Sequence, residues 1–101
     1  MGNLNILGLI YEVERVPYVC RDEYRLGQID FVSQKISIDE SISLEKAHVV
    51  LLHEILHGIF EGLGFNEECQ NESMIQGLAT ALHQCLIANP EIMKGDLLHA
   101  K

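Results

Sequence analysis

Val49-Val50-Leu51-Leu52-His53-Glu54-Ile55-Leu56-His57-Gly58-Ile59-Phe60 is the stretch on which the rest of the chain depends. Its apolar residues recur at helical spacing, and inside it lies the pattern H-E-x-x-H. Two histidines four apart on a helix stand one turn apart on the same face, at a separation one metal ion can bridge. Zn²⁺ accepts neutral imidazole nitrogens, and a catalytic site needs a third protein ligand and an open position for water. Glu54 follows the first histidine, within reach of such a water as its general base.

Outward from the motif, a helix is expected from an N-cap at Ser43, with Glu45 in its first turn, to about Leu63. Gly62 and Gly64 supply its end. On a helical wheel Val49, Leu52, Ile55, Leu56, Ile59, Phe60 and Leu63 form one broad arc, with His48 inside it. Lys46, Ala47, Val50, His53, Glu54, His57, Gly58 and Glu61 fill the other. The motif histidines are therefore expected to face away from the core. The competing reading is a solvated face that happens to carry two histidines, since Lys46, Glu54 and Glu61 share that side. The bulky, uncharged flanks Val50-Leu51-Leu52 and Ile55-Leu56 weigh against it.

On the N-terminal side, Asn5 to Val16 reads as one strand with a wet face near its end, stopped by Pro17. Tyr18 to Leu26 reads as a connection. Gly27 to Asp39 reads as a hairpin in which Ile29 and Phe31, and then Ile36 and Ile38, share a side. On the C-terminal side a second helix is expected from about Glu67 or Glu72 to Ala88, stopped by Asn89-Pro90. Its apolar stripe is Met74, Ile75, Leu78, Ala79, Leu82, Cys85 and Leu86. The fold class is then α+β, a sheet of about three strands packed on two helices, in one domain spanning residues 1–101.

The net charge of -8 over 101 residues disfavours nucleic acid and anionic membranes as partners, because both select basic surfaces. No stretch is long enough to span a bilayer, and the apolar N-terminus lacks the basic flank of a signal peptide. Three cysteines with no C-x-x-C pair, Cys20, Cys69 and Cys85, read as reduced, mostly buried thiols of a cytoplasmic protein.

The decapeptide Val50 to Ile59 resembles the extended active-site pattern of zincin metallopeptidases. The chain as a whole is similar to their smallest gluzincin-like members, the minigluzincins, and to short zinc endopeptidases of phages and mobile elements. The Tyr-Glu-Val strand, the Gly27-Gln28-Ile29-Asp30 hairpin, the Ile-Ser-Ile-Asp strand and the helix near Asn71-Glu72 share in the likeness. It implies Zn²⁺ held by His53, His57 and a glutamate of the next helix, which maps to Glu72. Glu68, one turn earlier, is the rival; Glu61 lies too far along the same helix from His53, and His83 about three turns beyond Glu72. The metzincin spacing is excluded, since the position six after His57 is Leu63. The resemblance further implies a peptide or protein substrate added as a strand along the hairpin and cleaved through a zinc-bound water activated by Glu54. Tyr11, Tyr18 and Tyr24 are oxyanion partners by residue type only.

Two other readings stand beside this one: a zinc-binding regulatory or interaction module with little activity, and a structural helical domain with no metal. The tail after Pro90, with Asp96, Leu98 and His99, is expected either to cover the cleft and hold the enzyme latent or to fray.

Overall fold

The computed structural model describes residues 2–20, 25–95 and 98. The element order is β1 (Asn3–Ile6), β2 (Leu9–Val16), β3 (Gly27–Asp30), β4 (Lys35–Asp39), α1 (Leu44–Leu63), α2 (Asn66–Cys69), α3 (Glu72–Ala88) and α4 (Glu91–Lys94). The α+β class holds, but the sheet has four strands in the order β1-β2-β4-β3.

The expected single strand over Asn5 to Val16 is in fact a hairpin. Leu7 and Gly8 both take positive φ, 52° and 93°, and join Ile6 to Leu9 as a two-residue turn. Positive φ at both central positions gives a turn whose twist suits flanking strands. Asn5 Oδ1 accepts from the Gly8 N–H at 2.8 Å and holds the reversal. The hairpin expected over residues 27–39 is present, with Ile29 opposite Ile36. Its turn is built by Asp30, whose Oδ1 accepts from the N–H groups of Val32 and Ser33. β4 then pairs in parallel with β2, Val13 opposite Ile36.

α1 lies across one face of this sheet. Ser43 caps it, its hydroxyl accepting from Lys46 N at 3.1 Å, and Gly64 ends it in the left-handed region at φ 78°. Ile6, Tyr11, Ile36, Ile38 and Ala47 form the buried cluster, with Val50, Leu51, Ile55 and Ile59 packed on it. The two-arc wheel needs correction here. Ala47, Val50 and Gly58, placed on the outer arc, face the sheet, and His48, placed on the inner arc, is exposed. α1 packs on both sides, against strands and against α3, so a one-face reading misassigns its flanks.

Gly58 shows how close the approach is: a Cβ there would sit 3.0 Å from Ile6 Cδ1 and 3.2 Å from Ile29 Cδ1. Of the two starts expected for the second helix, Glu72 is the observed one: α3 runs Glu72–Ala88, the turn α2 precedes it as a separate element, and Asn71 caps α3 by accepting from Met74 N at 3.1 Å. Of the expected stripe on α3 only Ile75 and Ala79 are buried, while Leu78, Leu82, Cys85 and Leu86 are exposed.

No described helix is long and apolar enough to cross a membrane. Cys20, Cys69 and Cys85 are free; the first two are half-buried and the third is exposed, so none is a fully buried core thiol. Beyond Pro90, α4 is a single turn and Leu98 is exposed. Asp96 and His99 of the proposed covering tail lie outside the described residues, as does Tyr24.

Candidate metal centre

His53, His57 and Glu72 come together, with one ligand atom from each all lying within 4.8 Å of one another. The two histidines share a face of α1, ring centroids 5.0 Å apart. Glu72 opens α3 directly after the Asn71 cap, where its carboxylate meets the positive end of that helix. Its Oε1 is 2.9 Å from His53 Nε2, and its Oε2 is 3.2 Å from His57 Nε2. Glu68, on α2, does not join the group, and neither does His83.

The outer ring nitrogens explain why these Nε2 atoms point inward. His53 Nδ1 is 2.8 Å from Gln76 Oε1, and the Gln76 amide nitrogen donates in turn to Thr80 Oγ1 at 3.2 Å. The amide thus bridges the His53 ring and the Thr80 hydroxyl. With the Gln76 oxygen toward the ring, as it stands in this structure, the Nδ1–H tautomer of His53 is the one that leaves an Nε2 lone pair for a metal. His57 Nδ1 is 3.6 Å from Cys69 Sγ, and the Cys69 thiol donates to the His57 carbonyl at 3.4 Å.

Two imidazole nitrogens and a carboxylate are thus brought together at hydrogen-bonding range, where an imidazole N–H can donate to Glu72 or a metal ion can take the place of that proton. Four-coordinate Zn²⁺ with bonds of about 2.0–2.1 Å sets its ligand atoms about 3.3 Å apart. The separations from Glu72 to the two rings, 2.9 and 3.2 Å, are near that, so the group could hold a metal ion.

Glu54, on the turn between the two histidines, was expected on the open arc. It is instead the one buried charged residue among those described, 7 % exposed. The reason is Gly27 at the start of β3. A Cβ at Gly27 would collide with Val50 Cγ1 and sit 3.1 Å from Glu54 Oε2. The missing side chain makes the recess that the carboxylate occupies. Burial pushes the Glu54 carboxyl above its ordinary range, Glu72 adds to the rise, and the charges of His53, His57 and Arg25 oppose it.

A cleft of about 1350 Å³ runs past these groups, walled by Leu26, Gly27, Gln28 and Ile29 on one side and by Gln76, Thr80 and His83 on the other. β3 pairs only with β4 among the described strands, so its outer edge borders this cleft. Neither of the two described tyrosines does: Tyr11 is 3 % exposed in the core, and Tyr18 is 75 % exposed away from the lining. Gln76 and Cys69 were missed as site residues. Gln76 carried a readable signal, since it stands four after Glu72 on the same helix face; Cys69 carried none.

Comparison with protein-family models, curated proteins and solved structures finds no match to this chain.

Proposed function

We propose that the chain is a zinc-dependent metallopeptidase of the zincin kind, with His53, His57 and Glu72 as the metal ligands. One observation carries the reading: three potential ligand atoms converge beside a buried carboxylate at the edge of an open strand. Bound there, zinc would supply Lewis acidity for a carbonyl and make water acidic enough to lose a proton near neutral pH.

The chain's own groups would do the rest. Glu54 would accept the proton of the attacking water at its carboxylate and return it to the leaving amine nitrogen. A base works best when its pKa lies near the operating pH, and burial moves Glu54 in that direction. The free edge of β3 would pair with an extended peptide and present its carbonyl to the site, as edge strands commonly do. The walls from Gln28 to Phe31 and from Thr80 to Ile87 would shed water from the bound segment.

A second reading, a zinc-binding module with little activity, draws on one observation: neither Tyr11 nor Tyr18 lines the cleft to stabilise an oxyanion. Titration with zinc and cleavage of a broad peptide library separate the two. The enzyme binds one equivalent and cleaves, and Glu54→Gln keeps the metal while losing cleavage by about 10²–10⁴-fold. Zinc binding with no cleavage supports the module, and no zinc binding removes both.

A further inference from the structure

The two ring anchors differ in kind. Gln76 meets His53 through an amide, its Oε1 lying 2.8 Å from Nδ1. Cys69 meets His57 through a thiol, which both accepts and donates. Its sulfur lies 3.6 Å from Nδ1 and 3.4 Å from the carbonyl oxygen of the same residue, so it spans His57 from ring to backbone. α2 is what delivers it: Cys69 N donates to Phe65 O at 2.9 Å, and the turn that follows leads into the Asn71 cap and Glu72.

We propose that Cys69 is a positioning residue for His57. Its S–H rests on the His57 carbonyl while its sulfur takes up Nδ1–H, which leaves Nε2 as the ligand atom and fixes the ring plane. When Nε2 instead carries the proton and donates to Glu72, the S–H can turn to the bare Nδ1. The thiol thus accommodates His57 in both its proton-bearing and its ligand form, which a carbonyl or carboxylate anchor would not. Groups of this kind, one shell out from the ligands, commonly change metal affinity 10–100-fold when removed.

The inference rests on the metal reading above, and the test keeps the two apart. Zinc affinity is measured by chelator competition, and the His57 ring nitrogens are followed by ¹⁵N NMR with and without zinc. Cys69→Ala is expected to weaken zinc about 10–100-fold and to leave the His57 Nδ1–H fast-exchanging in the zinc form. Cys69→Ser, which keeps a donor and an acceptor, is expected to restore most of both. Cys85→Ala, at an exposed thiol away from the site, is the control and should change neither.

Unchanged affinity and unchanged His57 signals in Cys69→Ala would overturn the proposal. So would a zinc form of the unsubstituted chain in which His57 coordinates through Nδ1. If the unsubstituted chain binds no zinc, the metal reading fails by itself. Cys69 is then judged on the metal-free spectrum, where His57 Nδ1 must shift in Cys69→Ala and not in Cys85→Ala.

Discussion

The two sides of α1 are built differently. Toward the sheet it meets a dry cluster in which Ile36 and Ile38 are 0 and 2 % exposed and Gly58 lets the strands approach closely. Toward α3 the fully covered residues are Ile75 and Ala79, while Leu78, Leu82 and Leu86 of that helix remain 37–42 % exposed. The same helix thus presents His53, Glu54 and His57 from a firmly held platform and meets Glu72 across a contact flanked by half-exposed leucines. Three of the four site residues are set by the core; the fourth depends on how α3 docks. A metal shared across that contact would tie the weaker side to the stronger one.

Several measurements sharpen this contrast. The largest effect is expected from Ile36→Ala, which empties a fully buried position and should cost about 2–5 kcal/mol in denaturant unfolding. Ile75→Ala should cost less, because α3, with Leu78, Leu82 and Leu86 partly exposed, can shift and close the gap. Equal losses would mean that α3 is as firmly packed as the sheet.

Zinc comes next. A ligand present at about 100 times its Kd stabilises the folded state by roughly 2.7 kcal/mol. Hydrogen exchange should place that gain mainly in α3 and α2 rather than in β2 and β4. Uniform protection would contradict the two-sided account.

Helix caps give a smaller and more local probe. Ser43→Ala and Asn71→Ala each remove one side-chain acceptor at a helix start and should cost about 0.5–2 kcal/mol. Only Asn71→Ala should also weaken zinc binding, since Glu72 is the residue that follows it. If Ser43→Ala weakened zinc equally, the cap at Asn71 would have no special bearing on the ligand.

The smallest effects are in acid. Asp39 is held below the usual carboxylate range chiefly by hydrogen bonds from Ser41, and Asp30 by those from Ser33 and Val32. A lowered folded pKa gives stability that is present above the unfolded value and is lost as pH falls through the folded one. Both contributions should therefore fade below about pH 4. Glu54 has the opposite sign: its raised folded pKa means a cost that is absent below its unfolded value near 4.5 and grows as pH rises through the folded value. In the metal-free chain at neutral pH, Glu54→Gln should accordingly raise the melting temperature, and Asp39→Asn should lower it.

The contrast also marks how far the residues alone could be read. The limits of α1 were legible because Ser43 and Gly64 act locally. His53, Glu54 and His57 were legible because their spacing is a property of one helix. Glu72 came only with the family resemblance, since no local signal chooses between it and Glu68; the break after α2 and the Asn71 cap make the choice. The Leu7-Gly8 turn was hidden because leucine rarely takes positive φ, and here the Asn5 side chain supports it. The burial of Glu54 was hidden because it depends on Gly27, far away in sequence, having no side chain. The wheel of α1 misled because it assumes one buried face, and this helix is covered on two.

Zinc content and peptide cleavage, measured together for the unsubstituted chain and for Glu54→Gln, test the central claim most directly. The account predicts one zinc per chain in both and cleavage only in the first. Cleavage that survives Glu54→Gln, or a chain that takes up no zinc, would contradict it.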